Sequence, residues 1–250
     1  MDTMVGLYEE LSFNAHPALN TVLCDGWILR FADGYTNRAN SVHMLHPPQM
    51  PLADKINFCE WMYTKQKQPT VFKITPLSLD VDSALAKRGY SVVTPTNVMV
   101  MDISASSFHS ANSVVVCKQM DEAWQNDYFR LNQTNAQIIP VAKQVQRNML
   151  NPALTATLYD GTEMVACGLC VIEREYAGLY GIAVSPQFRR KGCGYDICTA
   201  LMNAAKACGA QKVYLQVVAN NAGAIALYKK LGFTDAYQYW YRVKNIQQAT

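Results

Sequence analysis

Three adjacent cations run into glycines at Arg189-Arg190-Lys191-Gly192-Cys193-Gly194, the stretch of this sequence best suited to hold an anion. Just upstream, Gly178 to Val184 reads as a strand, and Ser185-Pro186 turns the chain out of it. Just downstream, Ile197, Leu201, Ala204, Ala205 and Cys208 share one face of a helix over 195–208. Glycines let backbone N–H groups converge without Cβ clashes, and a helix N-terminus adds potential that favours negative charge. The chemistry on offer is that of a phosphate cradle, although an isolated loop of this kind is more often a solvated basic turn. A second set follows the strand Lys212 to Val218. Asn221, Ala224/Ile225 and Tyr228 fall at i, i+3/i+4 and i+7, so they share one helix face, and Gly232 is placed as its C-cap.

Together these motifs closely resemble the GNAT superfamily of acyl-CoA-dependent N-acetyltransferases. That family carries a strand ending in Val, then Q/R-x-x-G-x-G/A, a helix, a strand, and N-x-x-A-x-x-L-Y-x-x-x-G-F. All appear here in order between Tyr180 and Phe233. The resemblance implies acetyl-CoA as co-substrate and no metal. It implies that the amides of Arg189, Arg190, Lys191, Gly192, Cys193, Gly194 and Tyr195 hold the CoA pyrophosphate, and that Ile182, Ala183 and Val184 pair with the pantetheine arm. It also implies that Asn221 contacts the cofactor and that Tyr228 protonates the departing thiolate.

The residues support those roles on chemical grounds. An unperturbed phenol has a pKa of about 10, near that of an alkyl thiol, so Tyr228 would stay protonated until needed. The general base is open. No carboxylate lies within the Gly178 to Val184 strand, where many family members have Glu. Glu173 and Glu175 are candidates, or simply exposed turn acids; a water relay, or an acceptor that needs little help, also remains. At pH 7.4 an α-amine is roughly 30 % neutral and a lysine ε-amine only about 0.1 %. A weak base therefore favours a low-pKa acceptor. Trp27, Arg30, Arg38 and Asn40 either line an acceptor pocket, with Arg38 as carboxylate anchor, or stitch a strand pair structurally.

Bulk properties narrow the classes. Half of the 250 residues are hydrophobic, enough for a full core. A formal charge of +3 is too mild to imply nucleic acid, and Tyr237, Tyr239, Trp240 and Tyr241 read as strand packing because no basic stripe interleaves them. No apolar run approaches the roughly 18 residues of a membrane span, and no signal peptide is visible. The eight cysteines mostly sit in apolar stretches. Cys167-Gly168-Leu169-Cys170 reads as two core thiols rather than a zinc site, and His43 and His46 point to opposite faces of a strand. A cytoplasmic location fits best.

The elements that must position these residues alternate between helices and strands, which predicts an α/β (α+β) fold. Helices are expected over 3–13, 53–65, 81–87, 122–132 and 140–150. Strands are expected over 28–31, 35–45, 70–75, 92–102, 114–118, 154–159, 164–172, 176–184 and 237–243, with a hairpin turn at Asp33-Gly34 and a break at prolines 47, 48 and 51. Leu85-Ala86-Lys87-Arg88-Gly89-Tyr90 matches Tyr228 to Phe233 at an offset of 143 positions. The chain therefore resembles a two-repeat branch of the family, each repeat a mixed, mostly antiparallel sheet flanked by helices. A degenerate repeat spans 1–103, a linker 104–113 and a catalytic domain 114–250. The first repeat has no glycine loop, and Leu85 stands where the second has Tyr228, so one acyl-CoA site per chain is expected. The expected activity is transfer of an acetyl group to a small amine, amino acid or peptide N-terminus in a ternary complex. Protein lysine or N-terminal acetylation and a non-catalytic acyl-CoA sensor are the alternatives. Neither nucleic acid nor membrane is expected as a partner, and a homodimer is left open.

Overall fold

The computed structural model describes residues 2–46 and 49–245. Pro47 and Pro48, read above as part of a break, lie outside them. The elements in order are α1 (Asp2–Ala15), β1 (Asn20–Cys24), β2 (Trp27–Phe31), β3 (Val42–Met44), α2 (Leu52–Lys65), β4 (Thr70–Ile74), α3 (Leu79–Lys87) and β5 (Ser91–Asp102). Then follow β6 (Val115–Cys117), α4 (Glu122–Leu131), α5 (Ile139–Arg147), β7 (Ala153–Asp160), β8 (Glu163–Glu173), β9 (Tyr176–Val184), α6 (Cys193–Ala207), β10 (Lys212–Val218), α7 (Ala222–Leu231) and β11 (Thr234–Lys244). All strands form one sheet in the order β1-β2-β3-β4-β11-β5-β10-β9-β8-β7-β6. Its described pairs are antiparallel except β3 with β4 and β9 with β10. The fold is mixed α/β with a mostly antiparallel sheet, as the alternation of elements predicts.

Burial on both faces explains the composition of the middle strands. β8 carries α6 on one side and α1 and α4 on the other, so it is apolar almost throughout rather than alternating. Cys167 and Cys170 fall in the cores on opposite faces and are free thiols. A Cβ on Gly168 would lie 2.6 Å from Ile182 and 2.7 Å from Ile197. Only glycine lets α6 settle this closely on the sheet. The α1 side is rich in tyrosine, with Tyr8, Tyr176, Tyr180, Tyr214, Tyr237, Tyr239 and Tyr241 in one cluster. A third core, built on Trp27, Ile56, Phe72 and Leu85, closes the β1–β4 end.

The strand order shows an exchange. β5 does not lie beside β4; it pairs with β10, and β11 pairs with β4. β5 and β11 pair with each other at the centre. Each half thus gives its last strand to the other. The 143-position offset carries the start of α3 onto α7 and the start of β5 onto β11. Gly89 and Gly232 end the two helices with the same left-handed backbone, at φ 82° and 103°.

Two local expectations are corrected. The hairpin turn lies at Asp25-Gly26, joining β1 to β2, with φ of 46° and 77°. Residues 35–41 are not strand: Asn40 takes the amides of Ala32 and Gly34 on its side-chain oxygen and folds 32–41 into a loop before the short β3. Residues 104–113 lack regular structure but are docked on α6. Lys206 donates to the Ser106 carbonyl at 2.8 Å, Asn203 to the Phe108 carbonyl at 3.0 Å, and the Ala111 amide to Asp196 at 2.9 Å.

A charge sits inside the tyrosine-rich core. Glu9, fully buried, accepts from Lys73 Nζ and Tyr237 Oη at 2.7 Å each. Burial alone would raise the Glu9 pKa; Lys73 and His43 reverse that and hold it lowered from 4.5 to about 2. The contribution to stability is therefore complete above pH 4.5 and is lost as pH falls from 4.5 toward about 2. Glu9→Gln would leave Lys73 buried without its counter-charge. It is expected to cost about 3–5 kcal/mol in denaturant unfolding at pH 7, with a smaller difference from the parent near pH 3.

Candidate active site

β9 and β10 run side by side only from Tyr176↔Lys212 to Leu179↔Leu215, although β9 continues to Val184 and β10 to Val218. The cause is a bulge. Leu169 pairs with Tyr180 and Cys167 with Ala183, so Gly181 and Ile182 together face Gly168. Gly181 sits at φ 54°, and a Cβ there would lie 2.1 Å from Tyr128 Oη. A non-glycine residue fits neither the backbone nor the space. Beyond the bulge the strands part, leaving the β10-facing backbone of Ile182, Ala183 and Val184 without a strand partner.

A cavity of about 420 Å³ opens at this fork. Leu179 to Ile182, Gln216 to Val218, the α7 N-cap Asn221, and Ala224 and Tyr228 of α7 line one part. Thr36, Asn37 and Arg38 of the 32–41 loop, Thr94 and Thr96 of β5, and Tyr239 and Tyr241 of β11 line the rest. Tyr228 belongs to the core beneath α6, whereas Tyr180, Tyr239 and Tyr241 belong to the core beneath α1. The cavity therefore runs through the sheet. Thr94 holds φ 52°, a strained value for a β-branched residue, at a second bulge where β5 pairs with β11. Among the described residues, no Asp, Glu or His lines the cavity.

Hydrogen bonding sorts the polar groups of this lining. Tyr180 Oη and Tyr214 Oη are 2.9 Å apart, and Tyr239 Oη donates to Gln216 Oε1 at 2.8 Å. Tyr228 Oη has no partner among the described residues, and burial raises its pKa well above the usual phenol value. Tyr241 Oη is buried and unpartnered. Arg38 lies 5.8 Å from the Tyr180 ring centroid, and among the described residues no carboxylate lies within 4.0 Å of it. Its loop is fixed from behind: buried Arg30 donates to the carbonyls of Arg38 at 2.7 Å and His16 at 2.5 Å.

The basic loop follows β9 through a short 3-10 turn, Pro186–Phe188. Arg189 Nε donates back to the Val184 carbonyl at 3.2 Å. Arg190 and Gly192 adopt φ of 63° and 88°, and α6 starts at Cys193. Among the described residues, the amides of Arg190, Lys191, Gly192, Cys193, Gly194 and Tyr195 donate to no protein acceptor. A Cβ on Gly194 would stand 3.2 Å from Leu227 and 3.6 Å from Val184. A row of free amides at a helix N-terminus, flanked by exposed Arg189, Arg190 and Lys191, fits a pyrophosphate.

The structure brings Ile182, Asn221, Tyr228 and Arg38 to one cavity, with Val184 joining it to the loop. The Asn221 side chain also caps α7, its oxygen taking the Ala224 amide at 3.1 Å. Two expected acceptor residues go elsewhere. Trp27 points into the β1–β4 core beneath the Lys55 ammonium, 4.1 Å from its ring centroid, and Asn40 is spent on the loop amides. Glu173 and Glu175 do not line the cavity; Glu173 accepts from Asn14 and Asn151. Tyr180, Gln216, Tyr239 and Tyr241 line it without having been singled out as site residues. The i, i+2 spacing of Tyr239 and Tyr241 marks one strand face; both pack in the core as read from the sequence, and the same face also lines the cavity.

Comparisons with known proteins agree with this geometry. The family described as "Probable histone acetyltransferase Rv0428c C-terminal" matches residues 7–242. The "Uncharacterized N-acetyltransferase YobR" of Bacillus subtilis is 30% identical over 241 residues, covering 94% of this chain and 97% of that protein. The [Ribosomal protein bS18]-alanine N-acetyltransferase of Salmonella typhimurium is 38% identical over 87 residues, 35% of this chain and 56% of its own. In fold, a GCN5-related N-acetyltransferase from Kribbella flavida superposes with a TM-score of 0.73 at 11% identity, over 97% of this chain and 96% of that one. Among the described residues, no helix is long and apolar enough to cross a membrane, and no group of three or more His, Cys, Asp or Glu side chains could hold a metal.

Proposed function

The chain belongs to the GNAT family of N-acetyltransferases, and from this we propose that it transfers the acetyl group of acetyl-CoA to the primary amine of a small molecule or a peptide N-terminus by direct attack in a ternary complex. It is an acyltransferase, and GNAT acetyltransferases use acetyl-CoA. One observation carries the finer reading: an unpartnered, buried phenol, Tyr228, opens onto the cavity where β9 and β10 part.

In this reading the amides and cations of Arg189 to Tyr195 bind the pyrophosphate. The free backbone of Ile182, Ala183 and Val184 aligns the pantetheine arm, and Asn221 lies alongside it. Fixing the donor in this way converts the reaction into an effectively unimolecular one. Tyr228 supplies the proton to the leaving sulfur, and burial keeps that proton in place. The first half shapes the acceptor side through Arg38 and its loop. We read 1–103 as a degenerate repeat, 104–113 as the connecting segment and 114–250 as the catalytic repeat; the shared 143-position offset supports this. We place the protein in the cytoplasm, where its eight free cysteines stay reduced.

The relative named for ribosomal protein alanine supports an α-amine as acceptor. So does the cavity, whose lining among the described residues has no side-chain carboxylate or imidazole to take a proton. The expected pH profile follows. With an α-amine acceptor, kcat/KM should rise to a plateau near the amine pKa of about 8. No descending limb should appear below about pH 10, because Tyr228 is shifted upward. Steady-state rates over this range with acceptors of different amine pKa check it. An ascending limb that stays put when the acceptor changes would reveal a base in the protein.

A further inference from the structure

We propose that the acceptor carries a carboxylate, held by Arg38 and Tyr241, so that the enzyme acetylates amino acids or short peptides with a free C-terminus rather than polyamines or lysine-rich segments. The inference rests on the acetyl-transfer reading and names the substrate class of the same site.

Arg38 is the only charged side chain lining the cavity among the described residues, and it has no acidic partner. The fully buried cations in this end of the molecule are matched. Lys73 has Glu9, Lys55 has Asp25, and Arg30 has three backbone carbonyls. The Tyr180 and Tyr239 hydroxyls are likewise taken up. On the acceptor side, the Arg38 guanidinium has no acidic partner and the buried Tyr241 phenol no hydrogen-bond partner among the described residues. A guanidinium and a neutral O–H are donors only toward an anion, and their natural joint ligand is a carboxylate with two acceptor oxygens.

The position is controlled rather than accidental. Arg30 fixes the Arg38 carbonyl, and Asn40 closes the same loop. Tyr180, Tyr239 and Tyr241 wall the guanidinium with low-dielectric surface, which strengthens its attraction for an anion. A polycationic acceptor meets the opposite arrangement, a fixed positive charge and, among the described residues, no carboxylate in the lining.

The test uses the full chain with acetyl-CoA and pairs of acceptors that differ only at the carboxylate: amino acids and dipeptides against their C-terminal amides, with spermidine and a lysine-rich peptide alongside. The expected result is a preference for the acids of about tenfold or more in kcat/KM. Amidation of an amino acid makes its amine less basic and hence more often neutral, so reactivity alone would favour the amide. Arg38→Gln should abolish the preference and raise KM for the acid while KM for acetyl-CoA is unchanged. Arg38→Lys should recover part of it, and Tyr241→Phe should weaken it less than Arg38→Gln. Because the Arg38 side chain makes no hydrogen bond or ion pair among the described residues, its variants should unfold nearly like the parent.

Calorimetry of N-acetylated acids and amides in the presence of CoA reads the same preference without turnover. Equal use or binding of acid and amide, a preference unchanged in Arg38→Gln, or selective acetylation of spermidine or the lysine-rich peptide would overturn the proposal. Failure of acetyl-CoA itself to bind would instead overturn the acetyl-transfer reading.

Discussion

Tyr228→Phe is expected to lower kcat by about 10²–10⁴-fold while acetyl-CoA affinity stays at the parent value. The ring makes an edge contact with Phe233 at 5.9 Å between centroids, and phenylalanine preserves it. The hydroxyl has no protein partner among the described residues, so its removal leaves no donor or acceptor stranded. The loss should therefore fall on the chemical step, where the thiolate departs without its proton. Thiol release followed with saturating acetyl-CoA and acceptor reads kcat; calorimetry with CoA reads binding. A large rise in the dissociation constant with little change in kcat would assign Tyr228 to cofactor binding instead. Unchanged kcat would remove it from the mechanism.

The second large effect belongs to the loop. Gly194→Glu should reduce acetyl-CoA binding by at least about a hundredfold, and with it kcat/KM. Even a Cβ at this position crowds Leu227 at 3.2 Å, and a glutamate there would bring its charge to the helix N-terminus beside the amides of 190–195. A carboxylate there competes for the donors that a pyrophosphate would take and repels its charge. Calorimetric titration with one binding site per parent chain sets the baseline. Gly194→Ala, which adds the steric contact without the charge, should fall between the two. If Gly194→Glu binds acetyl-CoA like the parent, the cradle lies elsewhere.

Local chemistry made much of this molecule legible. The strand, basic loop and helix over 176–207, and the helix bearing Asn221 and Tyr228, are dictated by short-range patterns of glycine, charge and helical spacing. Two kinds of feature escaped. The first is competition within a few residues. Tyr35 to Leu45 alternates like a strand, but the Asn40 side chain captures two amides and closes a loop, while Asp25-Gly26 makes the hairpin assigned to Asp33-Gly34. The second is long-range pairing. Nothing near Val98 or Tyr239 signals that β5 and β11 change places, and that exchange is what brings Tyr239, Tyr241, Thr94 and Thr96 to the cavity. Arg38 stood out as a cation in a polar cluster. Trp27 and Asn40 shared the cluster but point to the core and to the loop backbone.

The exchange of final strands also governs how this chain can reach its native state. β5 is complete at residue 102, yet both of its neighbours come from residues 212–244. During synthesis it waits on the order of ten seconds for them. Meanwhile its backbone donors and acceptors, and one edge of β4, stay open to wrong partners. The first half is thus denied an early, self-contained folding step, and the sheet closes only when the last strand arrives. High contact order of this kind slows folding and couples the two halves into one cooperative unit. The half without a basic glycine loop stays bound to the half that carries one, because neither has a finished sheet without the other.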